Sequence, residues 1–223
     1  MAVQLDLLKQ IHYFFDLSPA ELESIKKFIS EQKAEEDEVF LHEGDRSSFV
    51  YFVVSGVVKV YRSSLGGREQ IVNMASPGES VNDVSVFDGN PTAANMLAMT
   101  PVTLYRIKKT DLKAILQKYP QVAMNALKVL AGRVRRDSAL VKDLSFTQVT
   151  GRLAKMLLRY FAGADTDAWP RLTQQDMAAI VGATREVVNR SLRDMEEKGA
   201  IRLERRGIVI INKAALEEMM KSS

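Results

Sequence analysis

The chain has 223 residues, 46% hydrophobic and 26% charged, enough for one large or two modest domains with a sizeable core. It contains no cysteine, which excludes disulfides, thiolate nucleophiles and cysteine-ligated iron–sulfur clusters. The formal net charge is +3 and the excess is C-terminal: residues 1–145 hold 18 basic and 18 acidic side chains, whereas residues 146–223 hold 13 and 10. A basic excess confined to one segment suits a polyanionic partner.

The first residues, MAVQLDLLKQ, carry an early acid and no long apolar run, so no signal peptide is expected and the location is read as cytoplasmic. Residues 18–30, SPAELESIKKFIS, begin with serine, then proline, then Glu21 three positions on. That is a capping box opening an amphipathic helix. From about 38 to 107 the pattern changes to short runs rich in Val, Tyr and Phe, separated by the turn clusters EGDRSS, SLGGRE, SPGES and FDGNP. Such spacing predicts a β-barrel or roll. The most apolar run, FVYFVVSGVVKV (49–60), is broken by Ser55, Gly56 and Lys59, too short and polar to span a membrane.

Helices follow. TDLKAILQKY (110–119) stops at Pro120, and residues 120–145 read as one long helix of roughly 38 Å at 1.5 Å per residue. Leu127, Leu130, Val134, Asp137, Val141 and Leu144 recur at three- and four-residue steps. This narrow heptad seam predicts a parallel homodimer. Asp137 is its odd member, either fixing register or facing a ligand. The expected organisation is a domain over 1–118, a dimerisation helix over 119–145 and a third segment over 146–223.

In that last segment TGRLAKMLLRYF forms a helix and GADTDAWP a loop. Thr173 then caps QQDMAAIV, Gly182 ends it, Thr184 caps the next helix and Gly199 ends that one. Two helices joined by a glycine turn make a helix-turn-helix, and IRLE and IVII around Arg206-Gly207 add a hairpin wing. On the second helix Arg185, Glu186, Asn189, Arg190 and Arg193 span an arc of roughly 140°, while Val188, Leu192 and Met195 cluster within roughly 60° elsewhere. Arginine can donate two bonds to guanine and glutamate can accept from cytosine, so this face is a candidate reader of the major groove of double-stranded DNA. The competing reading is a solvated face held by a Glu186–Arg190 pair.

The order and spacing of these motifs over residues 8–212 resemble the cyclic-AMP receptor protein/fumarate–nitrate regulator (Crp/Fnr) family: EGD, YFVVSGVVKVYR, PGES, FDGNP, then LSFTQVTGRLAKMLL and LTQQDMAAIVGATREVVNRSLRDMEEKGAI. The resemblance implies an α+β protein. An N-terminal cyclic-nucleotide-binding-type β-roll (jelly roll) would be followed by a long dimerisation helix and a C-terminal winged helix-turn-helix. It implies a dimeric transcription regulator reading an inverted repeat of TGTGA-like half-sites. Arg185, Glu186 and Arg190 fall on the family's recognition pattern, with Thr184, Asn189 and a phosphate-holding Thr173 beside them. RNA polymerase is an implied partner, with loop 163–170 as its contact.

The same resemblance places an effector pocket at Asn82, Asp83, Val84, Thr92, Ala93, Arg133, Asp137 and Ser138. Asn82-Asp83 stand where the cyclic-AMP receptor has Gly-Glu, and Thr92-Ala93 where it has Arg-Ser. No arginine lies between Arg68 and Arg106, so a cyclic phosphate loses its forked donor, although Asp83 could still accept from a ribose hydroxyl. His12, in LLKQIHYFFDLSP, resembles the corresponding region of haem-dependent, nitric-oxide-responsive members and is the candidate axial ligand, linking the chain to nitrosative stress. His42 reads as a turn residue and Met96 and Met99 as core. A small metabolite, a cyclic nucleotide or no effector at all are the alternatives. The effector is expected to act by shifting populations about a hinge at Ser145–Gln148.

Enzyme motifs are missing: no Gly-rich phosphate loop, HExxH or G-x-S-x-G. A ligand-binding module without DNA binding is the reading from another class; it would lack the exposed Arg/Glu face.

Overall fold

The computed structural model describes residues 3–161, 170–204 and 207–221. Most of the expected polymerase-contact loop, 163–169, and Arg206 of the expected wing turn lie outside the described residues. The chain divides into two compact units, one holding residues 1–62 and 72–135, the other residues 63–71 and 136–223.

The first unit opens with α1 (Leu5–Leu8), a 3-10 turn (His12–Phe14) and α2 (Pro19–Lys26). The capping box on α2 is present, with Ser18 and Glu21 satisfying each other's backbone amides. The helix stops four residues before the expected limit. Ile29 instead starts β1 (Ile29–Ala34), because its backbone pairs with Ile107. The roll continues through β2 (Val39–Leu41), β3 (Phe49–Ser55), β4 (Val58–Ser63), β5 (Glu69–Ala75), β6 (Ser80–Val81), β7 (Asn95–Ala98) and β8 (Val102–Lys108), with α3 (Asp83–Asp88) between β6 and β7. Two four-stranded sheets result, in the orders β1-β8-β3-β6 and β2-β7-β4-β5.

Val53, Val102 and Leu104 from the first sheet share one core with Val58, Met96 and Ala98 from the second. Met96 is therefore a core residue, as expected. The turn from β3 to β4 needs glycine at Gly56: φ is +82°, and a Cβ there would stand 2.5 Å from the Pro101 carbonyl oxygen.

After α4 (Lys109–Lys118), Pro120 opens α5 (Pro120–Phe146), the expected long helix within one residue. Its first turns are seated by Val122 and Ala126, buried with Tyr13, Phe14 and Phe52. Buried Asn125 donates through Nδ2 to the Tyr13 and Phe15 carbonyls, at 3.2 and 2.7 Å. A buried amide needs such acceptors, so Asn125 fixes where α5 leaves the roll.

The second unit contains α6 (Val149–Phe161), α7 (Gln174–Val181), α8 (Arg185–Glu197), the hairpin β9 (Ile201–Glu204)–β10 (Gly207–Ile210) and α9 (Lys213–Lys221). The hairpin is antiparallel, with Ile201 opposite Ile210. α6 supplies the core through Leu153, Ala154, Met156, Leu157 and Tyr160. Among the described residues no helix is long and apolar enough to cross a membrane.

Candidate nucleic-acid interface and sensor cassette

α7 and α8 are built by their caps. The Thr173 hydroxyl accepts from the Asp176 amide at 3.1 Å and donates to the Asp176 carboxylate at 2.6 Å. Gly182 then takes φ +66° to end α7, a conformation that strains any residue with a Cβ. The Thr184 hydroxyl accepts from the Val187 amide, starting α8 two residues later. Thr173, expected to hold a phosphate, thus has its hydroxyl already engaged as a cap, with the residue itself exposed.

On α8, Val188, Leu192 and Met195 are buried, together with Ser191. Arg185, Glu186, Arg190 and Arg193 are exposed and Asn189 is half-buried. A shallow groove of about 610 Å³ runs along Glu186, Asn189, Arg190 and Arg193. Arg185 Nε sits 3.4 Å from Gln174 Oε1, while no ion pair joins Glu186 to Arg190 among the described residues. The solvated-pair reading therefore loses its contact. The Glu186 carboxyl is held below the usual range by its own backbone amide first, then by the Thr184 hydroxyl and the charge of Arg185. It stays an ionised acceptor at the N-terminal end of the helix, next to arginine donors. That is the equipment for reading base edges.

The cassette lies in the first unit. Asn82, where the resembling family has glycine, adopts φ +62°. Asparagine tolerates this left-handed geometry better than other side chains with a Cβ. Its amide is also tied down, with Nδ2 donating to the Phe49 carbonyl at 2.9 Å and Oδ1 accepting from the Thr92 hydroxyl at 3.2 Å. Val84 and Ala93 are exposed.

Asp83, completely buried, is surrounded by donors. Oδ2 accepts from the Tyr13 hydroxyl and the Ser80 hydroxyl, each at 2.9 Å. Oδ1 accepts from the Val84 amide at 3.1 Å and from Arg133 Nη1. A carboxylate offers about four lone-pair sites, and these partners fill them, so in this state Asp83 has no acceptor left for a ribose hydroxyl. Burial first, then the Asp83 charge and hydrogen bond, push the Tyr13 phenol far up, and it remains a donor.

Arg133, from α5, supplies the guanidinium that the cassette itself lacks. Its Nη2 donates to the Ser80 carbonyl and to the Ser80 hydroxyl. Its Nε is buried with no acceptor among the described residues. The pairing of Arg133 with Asp83, fifty residues apart, carries no local signal in the sequence. Asp137 and Ser138, expected in the same pocket, are exposed on the part of α5 that belongs to the second unit.

His12, the candidate axial ligand, lies in the 3-10 turn of the first unit. Its ring is half-buried, 5.1 Å from the Phe15 ring at 69°. Its amide donates to the Gly78 carbonyl at 3.0 Å, and its Nε2 is 3.4 Å from where a Cβ on Gly78 would stand. His42 is exposed in its turn, as expected.

Comparison with known proteins agrees with this layout. Residues 31–119 match the cyclic nucleotide-binding domain and residues 151–219 the Crp-like helix-turn-helix domain. In these two domains and their order the chain is similar to the Crp/Fnr family of transcription regulators. The chain is 29% identical over 211 residues to the CRP-like cAMP-activated global transcriptional regulator of Mycobacterium tuberculosis, covering 92% of this chain and 94% of that one. It is 28% identical over 206 residues to the cyclic AMP receptor protein of Thermus thermophilus, covering 92% and 95%. The solved structure of the c-di-GMP responsive regulator CLP of Xanthomonas campestris superposes with a TM-score of 0.77 at 19% identity, over 86% of this chain and 99% of that one, a likeness of fold alone.

Proposed function

We propose that the chain is a Crp/Fnr regulator acting as a homodimer that binds an inverted-repeat, TGTGA-like operator through α8, recruiting or blocking RNA polymerase, under control of a small-molecule effector. The observation that carries the reading is the exposed Arg185–Glu186–Arg190 face beside its buried Val188–Leu192–Met195 anchor. A non-DNA ligand-binding module would have no use for that face. The dimer is supported by α5: Leu127, Val134 and Val141 are 59%, 64% and 63% exposed in the single chain, at heptad spacing. An exposed apolar stripe of this kind marks an interaction surface. We expect Val134→Glu with Val141→Glu to convert the dimer to monomer in sedimentation velocity and to lower operator affinity at least tenfold. A dimer that persists in the double variant would defeat the assignment of the seam.

The effector is a small molecule bearing a hydrogen-bond acceptor, met by the unpartnered Nε of Arg133. Haem at His12 finds no support in this arrangement, in which the ring lies edge-on to Phe15. The mycobacterial, Thermus and enterobacterial relatives all carry cyclic AMP in their names. In this chain, however, Thr92 is bonded to Asn82, and the fork of Arg133 is committed to Asp83 and Ser80. A cyclic phosphate meets no free paired donor. Titration calorimetry with cyclic AMP is expected to show no saturable binding; a one-to-one isotherm abolished in Arg133→Gln would return cyclic AMP as the effector.

A further inference from the structure

The second unit contains a polar tie that neither the recognition face nor the seam uses. Arg152, on the first turn of α6, is half-buried and reaches three backbone carbonyls, one at the end of α7, one inside α5 and one just past its end. Nε donates to Val181 at the end of α7, at 2.7 Å. Nη1 donates to Thr147, just past the end of α5, at 2.5 Å, and lies 3.5 Å from the Asp143 carbonyl inside α5. The last carbonyls of a helix have no partner within it and carry the negative end of its dipole. One cation therefore satisfies the Val181 carbonyl at the end of α7 and the Thr147 carbonyl that follows α5.

An apolar contact lies beside it. A Cβ on Gly182 would stand 2.6 Å from Leu144 Cδ2, so the α5 leucine rests directly on the glycine that turns α7 towards α8. Gln70 adds a longer contact, its Nε2 lying 3.4 Å from the Ile180 carbonyl.

From this geometry we infer that Arg152 is a positioning residue: it locks the helix-turn-helix to the end of α5, so that the spacing of two recognition helices follows α5. The inference rests on the dimeric, operator-binding reading above and deepens it. The junction at Ser145–Gln148, expected from sequence to be the hinge, is then bridged on both sides and moves as one piece with α7. Motion that retunes operator spacing enters higher on α5. A guanidinium is needed, because its nitrogens are fixed in one plane and diverge towards separate acceptors. A lysine amine supplies the charge at a single point and cannot span Val181 and Thr147 together.

The test uses the full-length protein and a series of duplexes carrying two half-sites whose centre is lengthened or shortened by one or two base pairs, plus a duplex with one half-site. Fluorescence anisotropy is measured for wild type, Arg152→Gln and Arg152→Lys. Wild type is expected to favour one spacing sharply. Arg152→Gln is expected to hold the single half-site within threefold of wild type, to lose tenfold or more on the preferred operator and to flatten the spacing profile. Arg152→Lys, which keeps the charge and guards against a variant that fails to fold, is expected to flatten it partly.

An unchanged spacing profile in both variants would overturn the inference. So would equal losses on half-site and full operator, because these mean that Arg152 only supports the fold of the unit. A wild type that itself shows no spacing preference would mark failure of the dimer reading, and is distinguished by appearing without any substitution.

Discussion

Arg185→Ala and Arg190→Ala are each expected to reduce discrimination between the operator and an unrelated duplex, and together to reduce it to little more than salt-dependent, non-specific binding. Each bidentate arginine–guanine contact contributes about 1–3 kcal/mol of discrimination, or roughly 5- to 150-fold. Both side chains are exposed on a helix whose opposite side is buried through Val188, Leu192 and Met195, so truncating them removes contacts to DNA and leaves the core intact. The expected signature is a thermal midpoint within about 2 °C of wild type, as for surface changes, with operator preference collapsed. Substituting Lys155 instead, exposed and paired to Asp143, should leave sequence preference unaltered. If both arginine variants retain wild-type preference in competition binding, α8 is not the reader.

The second large effect concerns the buried network beneath the cassette. Asp83→Ala leaves the Arg133 guanidinium, only 19% exposed, without its counter-ion, and Tyr13 and Ser80 without their acceptor. Breaking a buried pair by removing one partner costs about 3–5 kcal/mol, and the residual exposure of Arg133 favours the lower end. The double replacement Asp83→Leu with Arg133→Met removes both charges and should recover much of that loss, since apolar substitutes for a buried pair are often near neutral. Urea unfolding of the two singles and the double measures the coupling. Single-variant losses under about 0.5 kcal/mol, typical of a solvated surface pair, would show that the network does not hold α5 to the roll.

These two sites differ in how far the sequence discloses them. The recognition face is local: TREVVNR lies on one helix, so cap, anchor and exposed arc all follow from periodicity and the two threonine caps. The cassette network is not. Tyr13, Ser80, Asp83 and Arg133 come from four elements, and only folding of the roll and the seating of Asn125 bring them together. Arg152 is similar: its partners are backbone carbonyls, which have no residue signature. Sequence also misplaced β1, because Phe28 and Ile29 extend the helical pattern of α2 while the strand is specified by pairing with β8. α3 was legible only as a loop-like cassette, since DVSVFD is short and bounded by left-handed Asn82 and Gly89. Asp137, read as a seam or pocket residue, is exposed in the single chain, as are its seam neighbours Val134 and Val141.

The most direct test of the central claim is binding-site selection with the purified full-length protein on a pool of random duplexes. The account predicts enrichment of an inverted repeat whose two half-sites lie about one helical turn apart, 10–10.5 base pairs centre to centre or a multiple of it, with guanines at the positions facing Arg185 and Arg190. A pool that remains random after selection, or one enriched only for a single unpaired motif, would contradict a dimeric reader built on α8.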